Sequence, residues 1–203
     1  PDDDKDRLAY QEFKKTFGDD GSVMVVGINT AKINDLDFFN DWYDLTKKIE
    51  ATPNIKQVLS IANIKTLEKE TVLDSFEGET YEKSAFKAAS LFKNKPKTQA
   101  EIDQKLEEMR GLRFYEGLLF KDSSNFTLMA VTLEKGILDT KARVPFVNGL
   151  EVDITEVCSK YDVEVHFSGL PFIRTKMSQM IQQELVRFTL ISMVLTALIL
   201  LFF

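Results

Sequence analysis

The chain has 203 residues, with 26 Lys plus Arg, 32 Asp plus Glu, one Cys and one His, and its formal net charge is −6 at pH 7. An acidic chain without a basic run lacks the electrostatic footprint of a nucleic-acid-binding protein, so we expect no DNA or RNA partner. One Cys and one His exclude an internal disulfide, Cys-rich metal sites and paired-His zinc motifs. No Gly-rich phosphate loop occurs, and we expect no catalytic residue, metal or cofactor in this chain.

The C-terminal end of the chain differs sharply from the rest. All charged residues lie in residues 1–187, and thirteen of the sixteen residues from 188 to 203 are apolar. As a helix with about 1.5 Å of rise per residue, this run would span roughly 24 Å, short of the ~30 Å hydrocarbon layer. Because the chain also starts without Met, we expect a fragment of a longer protein. A short tail anchor and a buried core helix are the alternatives.

The N-terminal region, residues 1–22, is predicted to be an acidic lead-in followed by a short helix. Ala9, Phe13 and Phe17 recur every four residues, and Gly18 suits a helix end. The continuous apolar run at residues 23–28 then predicts a strand that is buried on both faces.

Helices and strands follow in alternation. Residues 36–51 are predicted to form a helix, and residues 55–64 a second strand. The inward face of that helix would carry four large side chains: Phe38, Trp42, Leu45 and Ile49. Residues 113–120 and 126–133 flank a polar segment and predict a hairpin.

Periodicity returns in the C-terminal part of this region. The helix predicted over residues 143–161 has an apolar stripe of six residues: Phe146, Leu150, Ile154, Val157, Cys158 and Tyr161. Val163, Val165 and Phe167 then alternate with polar residues, which predicts a strand over residues 163–168 with one buried face.

Residues 65–111 interrupt the pattern and are predicted to be a mostly helical insertion. Apolar residues between 81 and 93 indicate one helix. A second helix is predicted to begin at Thr98, which forms a capping box with Glu101, and to end at Arg110 before Gly111. We expect the insertion to lie outside the sheet and its removal to leave the core folded.

The order of the remaining elements predicts an α+β domain over residues 23–168. Strand, helix, strand, hairpin strand, helix and strand form a split pair of β-α-β units, which is the ferredoxin-like arrangement.

The domain is predicted to continue into the final segment, residues 169–203, without a flexible linker. Gly169 can take positive φ angles that other residues resist, and Pro171 suits the first turn of a helix. No helix breaker follows Pro171, so we expect one helix, amphipathic at first and apolar all round where it enters the membrane. We predict that Gly169 and Pro171 form a coupling junction between the domain and the membrane helix.

Other residues with chemical potential have simpler structural interpretations. His166 is predicted to be exposed on its strand, and Cys158 to be a buried, unreactive thiol. The acidic clusters at residues 2–4 and 19–20 are interpreted as solvated ends and turns. The methionines of the last helix are interpreted as packing residues.

Several segments together resemble the first extracytoplasmic loop of a resistance-nodulation-division (RND) superfamily exporter, within its MmpL and Patched-like branch. The resemblance covers nearly the whole chain. It rests on the acidic lead-in, Thr16-Phe17-Gly18, the strands at 23–28 and 163–167, and Gly169-Leu170-Pro171. The insertion at 65–111 lies outside it.

The resemblance implies a proton-driven exporter of lipids or other hydrophobic or amphiphilic compounds in the bacterial inner membrane, with this porter domain on the periplasmic side. The implied partners are the substrate, membrane lipid, the remaining half of the same transporter chain, and periplasmic proteins or further copies of the exporter. Proton-relay residues would lie in spans outside this chain, and substrate-binding residues stay unassigned. Two alternatives stay open: the extracytoplasmic domain of an ABC-type permease, and a membrane-anchored sensor or adaptor module.

Overall fold

A computed structural model of the chain describes residues 20–76, 79–121 and 124–202. Over these residues the protein is a mixed α+β structure with antiparallel sheets and a long, apolar C-terminal helix. The strands are β1 Val23–Asn29, β2 Ile55–Ser60, β3 Lys65–Phe76, β4 Glu79–Ser90, β5 Phe120–Lys121, β6 Ser124–Leu133 and β7 Val165–Ser168. The helices are α1 Leu36–Glu50, α2 Gln99–Arg110, α3 Lys135–Leu138, α4 Arg143–Ser159 and α5 Leu170–Phe202. The short helix predicted around Ala9 to Phe17 lies outside the described residues.

The main sheet contains all four strands that the core pattern predicted. Its order is β2-β6-β1-β7, with every pair antiparallel and β5 pairing with the start of β6. The strand predicted at residues 23–28 is confirmed as β1, and it is an interior strand because it lies between β6 and β7. The strand expected over residues 113–120 is wrong. Most of that segment forms turns, and only Phe120 and Lys121 pair with β6.

One face of this sheet forms the core. Met24, Val26 and Ile28 alternate along β1 and are fully buried. Val23 and Val25, on the opposite face, are only half-buried, so the expectation of a strand buried on both faces is wrong. On that second face Gly27 lies beneath Phe126, whose ring would be 3.1 Å from a Cβ added at residue 27.

Helices α1 and α4 contribute to this single core and contact each other. The four side chains predicted for the inward face of α1 are all buried, as are Leu150, Ile154 and Cys158 of α4. Phe38 of α1 makes an edge-to-face contact with Tyr161, with ring centroids 5.0 Å apart. The Nζ atom of Lys48 lies 2.9 Å from a carboxylate oxygen of Asp153, which joins the two helices at their exposed side.

The first half of the insertion is a hairpin, so the helix predicted within residues 81–93 is wrong, and so is the expectation that the insertion is mostly helical. β3 and β4 pair in continuous antiparallel register from Lys65 with Ser90 to Phe76 with Glu79, as a separate two-stranded sheet. The Ala and Lys residues of this segment favour helix locally, but cross-strand pairing satisfies its backbone groups instead. The expectation that the insertion lies outside the main sheet is confirmed.

The second half of the insertion belongs to the core. α2 begins at the predicted position, where the Thr98 hydroxyl accepts a hydrogen bond from the Glu101 N–H at 3.3 Å. Its inner face buries three side chains: Ile102, Leu106 and Met109. Phe92 also packs on Phe39 of α1 with ring centroids 4.7 Å apart. Removal of the whole insertion would therefore open the core, contrary to the expectation that the domain would fold without it.

Gln99 fixes the second half of the insertion to the start of α1. Its side-chain oxygen accepts a hydrogen bond from the Leu36 N–H at 2.9 Å, and its side-chain nitrogen donates to the Asn34 carbonyl at 2.7 Å. Asp35, the residue that precedes α1, makes no side-chain capping bond. The cap of α1 thus comes from a residue 63 positions away in the sequence.

Candidate functional site: the junction between the sheet and the final helix

Strand β7 brings Gly169 directly against β1. Val26 pairs with Phe167, and Val25 pairs with Ser168, so the chain leaves the sheet beside the start of β1. Gly169 has φ of +95°, and a Cβ at this position would lie 2.2 Å from the carbonyl oxygen of Val23. The positive φ predicted for Gly169 is confirmed, and the close backbone contact is a second reason why only glycine fits.

The last helix starts within one residue of this turn. The carbonyl oxygen of Gly169 accepts the first helical hydrogen bond, from the Ile173 N–H at 3.0 Å. Pro171 lies in the first turn, as predicted, where a missing N–H leaves no helical bond unmade. Pro171 is buried, and Thr175, one turn later, is fully buried and donates its hydroxyl hydrogen bond to the Pro171 carbonyl at 2.8 Å.

Two further contacts hold the first turns of α5 to the domain. The ring of Phe172 stacks on Phe167 of β7, with centroids 5.2 Å apart and planes 26° apart. Lys176 forms an ion pair with Glu151 of α4, and its Nζ atom lies 5.2 Å from the centroid of the Phe172 ring. The junction is thus supported by β1, β7 and α4 together.

Sequence reasoning missed these supporting residues. The spacing of four between Pro171 and Thr175 was a usable signal, because residues i and i+4 lie on the same side of a helix. The ion pair between Glu151 and Lys176 had no such signal, since its partners lie 25 positions apart on different helices.

Beyond Lys176 the helix leaves the domain. Met177, Met180, Ile181 and Leu185 are each more than half exposed, and the apolar residues that follow are exposed as well. Among the described residues, α5 is the one helix long and apolar enough to cross a membrane, with a mean hydropathy of 2.4 over its most apolar 18 residues. The exposure of this surface is unfavourable in water, so α5 is compatible with membrane anchoring.

His166 and Cys158 are the other two candidate side chains that the structure describes. His166 is exposed, and its Nε2 atom lies 4.0 Å from a carboxylate oxygen of Glu164. Cys158 is fully buried, as predicted, and burial raises the pKa of its thiol to about 11. Within residues 20–76, 79–121 and 124–202, no group of three or more His, Cys, Asp or Glu residues could hold a metal ion. The acidic cluster at residues 2–4 and Asp19 lie outside those ranges.

The junction is a structural connection. It fixes a membrane-length helix to a folded domain through backbone contact, ring stacking and an ion pair. Comparison with family models, with curated proteins and with solved structures gave no match.

Proposed function

We propose that this chain is the first extracytoplasmic porter domain of a proton-driven RND-type exporter of lipids or other hydrophobic or amphiphilic compounds. The observation that carries the proposal is the junction at Gly169, where the sheet continues into a membrane-length helix without a flexible linker. A porter element works by moving relative to the membrane spans. A rigid connection transmits such movement, whereas a flexible tether would absorb it.

The arrangement of the main sheet supports a ferredoxin-like assignment for the domain. Helix α1 connects β1 to β2, and β6 lies between these two strands in the sheet. Helix α4 connects β6 to β7, and β1 lies between those two strands. Two interleaved β-α-β units with both helices on one face are the defining feature of the split β-α-β arrangement. The hairpin of β3 and β4 and the helix α2 are additions to that arrangement.

The dimensions of α5 support a position at a membrane surface. From Lys176, which pairs with Glu151 of α4, to Phe188, the first of the uncharged run, the helix rises roughly 18 Å at about 1.5 Å per residue. Met177, Met180, Ile181 and Leu185 follow a helical spacing on this stretch. In the proposed exporter, this stripe packs on neighbouring spans of the same transporter half, and the domain stands on the periplasmic side of the bacterial inner membrane.

The proposal is tested with the full-length protein and bacterial cells that lack it. Lipids outside the inner membrane are extracted and compared by mass spectrometry in cells with and without the protein. We expect at least one lipid class to disappear without the protein, to return when it is restored, and to be lost again when a protonophore collapses the proton gradient.

Two other results would contradict the proposal. The lipid class found in this way can be tested for transfer in proteoliposomes. If transfer requires ATP and a partner ATPase, and an imposed pH gradient does not drive it, the protein is an ABC-type permease. No change in any lipid class would favour an anchored sensor or adaptor module.

A further inference from the structure

A cleft lies between the base of the β3–β4 hairpin and the loop that follows α2. Its volume is about 610 Å³, within the range of roughly 300–1,000 Å³ that is usual for small-molecule sites. The residues that line it are Lys65, Thr66, Leu67, Ala88, Gly111, Leu112, Arg113, Phe114 and Tyr115.

The walls of the cleft are apolar and exposed. Leu67 and Ala88 are directly opposed in the hairpin register, so they form one continuous surface. Leu67 is 70% exposed and Phe114 is 80% exposed. Burying apolar surface of this kind is favourable, so an apolar chain in the cleft would be stabilised.

The cleft is also cationic in a protein whose net charge is −6. Lys65 and Arg113 line it, and no Asp or Glu is among its described lining residues. Neither cation forms an ion pair with a described residue. On the opposite face of the hairpin, by contrast, Glu68 pairs with Lys93 at 2.9 Å. An anionic group in the cleft would meet two cations that pair with no carboxylate in the described part of the chain, and the Arg guanidinium suits carboxylate and phosphate alike.

Hydrogen bonds fix the loop side of the cleft. The Tyr115 hydroxyl donates to the Lys65 carbonyl at 3.0 Å, which ties the loop to β3. The Tyr115 carbonyl accepts from the Leu119 N–H at 2.9 Å, and the ring of Phe114 packs edge-on against Tyr115 at 5.2 Å. A preformed site loses less conformational entropy when it binds a ligand.

We propose that this cleft binds an amphiphile with one anionic headgroup. The carboxylate or phosphate group contacts Lys65 and Arg113, and the apolar chain lies along Leu67, Ala88 and Phe114. That the ligand is a substrate entering the exporter rests on the proposed function, whereas the binding itself does not.

The first experiment uses the 203-residue chain in nanodiscs of phosphatidylcholine, which carries no net charge. A hexadecanoic acid with a photoactivatable diazirine is added and activated, and the labelled peptides are identified by mass spectrometry. We expect labels on peptides that contain residues 65–67, 88 and 111–115. Dodecanoate and dodecyl phosphate should compete, whereas dodecyl maltoside and dodecyltrimethylammonium at the same concentration should not. Stronger competition by dodecanoate indicates a fatty acid, and stronger competition by dodecyl phosphate a phospholipid.

The second experiment changes the cations. The double variant Lys65→Glu/Arg113→Glu should lose labelling by about tenfold or more, the scale of one lost charge-assisted hydrogen bond. The matched control is Lys56→Glu/Lys97→Glu, which makes the same change in net charge at two exposed lysines away from the cleft. The control should label like the unchanged protein. Phe114→Ser, which keeps both cations, should also weaken labelling.

Labels on α5 are expected from probe dissolved in the lipid and do not count. Three results would overturn the proposal: labels on the domain that are spread away from the cleft, equal competition by the uncharged dodecyl maltoside, or unchanged labelling of the double variant. The fold of each variant is checked by the Cys158 thiol, which stays unreactive only while it is buried. If a variant does not fold, the competition experiments on the unchanged protein still test the proposal. Labelling by a protein that exports no lipid would refute the proposed function alone. Export by a full-length protein that shows no labelling would refute the cleft proposal alone.

Discussion

Gly169 and Val23 lie so close together that a Cβ on residue 169 would be 2.2 Å from the Val23 carbonyl oxygen. Gly169 also has φ of +95°, so conformation and space exclude a side chain independently. The turn that connects the sheet to α5 is consequently packed against backbone that cannot move aside without disturbing β1.

This contact predicts that Gly169→Ala is more harmful than the same change at another glycine with positive φ. Gly117 is the matched control, because its φ is +77° but nothing lies within 4 Å of an added Cβ. Gly117→Ala should lower the free energy of unfolding by about 1–2 kcal/mol, the left-handed backbone penalty alone. Gly169→Ala should lower it by more than about 3 kcal/mol, because the backbone must also shift.

Urea unfolding in detergent, followed through the fluorescence of the fully buried Trp42, measures both effects. Asn tolerates positive φ, so Gly117→Asn should be nearly neutral while Gly169→Asn stays destabilising. Equal effects at the two positions would show that the contact with Val23 is unimportant.

Cys158 predicts a loss of stability at alkaline pH. Burial raises the pKa of its thiol from 9.0 to about 11, so the unfolded thiol ionises first as the pH rises. The free energy of unfolding therefore keeps the full contribution of the protonated Cys158 thiol below pH 9. It falls as the pH rises from 9 to 11, by roughly 2–3 kcal/mol at most. Burial and the neighbouring Asp41 also raise the pKa of Tyr161. Ionisation of Tyr161 therefore also lowers the free energy of unfolding as the pH rises.

The Cys158→Ala variant isolates the thiol. The difference in unfolding free energy between the two proteins should shrink between pH 8 and pH 11, because only the parent protein loses the contribution of Cys158. A difference that is constant over this range would mean that the thiol is accessible to water in the folded state.

The two halves of the insertion should respond differently to change. Replacing residues 67–88 by Asn-Gly joins Thr66 to Ala89, which are paired in the hairpin, through a favoured two-residue turn. The unfolding free energy should change by less than about 1 kcal/mol, because the exposed ion pair of Glu68 contributes little. Ile102→Ala, in the buried face of α2, should lower it by about 2–4 kcal/mol. If removal of the hairpin unfolded the domain while Ile102→Ala left it stable, the hairpin and not α2 would be the half of the insertion that supports the core.

Much of the main domain could be predicted because its elements bury one face. The stripe on α1, the alternation along β7 and the apolar run of β1 all report burial, and burial is what a sequence pattern records. The roles of Gly169 and Pro171 could also be predicted from the sequence, because their backbone preferences are properties of the residues themselves.

The β3–β4 hairpin could not be predicted for the same physical reason. Leu67 and Phe86 are exposed, so the segment shows no alternation between a buried and a solvated face, and its Lys, Glu and Ala residues favour helix. The contacts that stabilise the junction could not be predicted for another reason. The contact between Glu151 and Lys176 depends on how α4 and α5 pack, which no local pattern contains.

The position of the membrane surface along α5 gives a further prediction. In a Cys158→Ala background, Gln182→Cys should react with a charged maleimide in nanodiscs, because it precedes the uncharged run. Leu195→Cys, within that run, should react only after the lipid is removed by detergent. Equal reaction at both positions in nanodiscs would show that α5 does not enter the bilayer.

The most direct test of the central claim is export by the full-length protein with a flexible Gly-Ser spacer inserted after Ser168. The matched control carries the same spacer after Lys141, in the exposed turn between α3 and α4. The account predicts that the Ser168 spacer abolishes export of any lipid class that is lost from cells without the protein, while the level of the protein in the membrane stays normal. The Lys141 spacer should leave export intact. Normal export with the spacer at Ser168 would contradict the account, because the domain would then work without rigid coupling to its membrane helix.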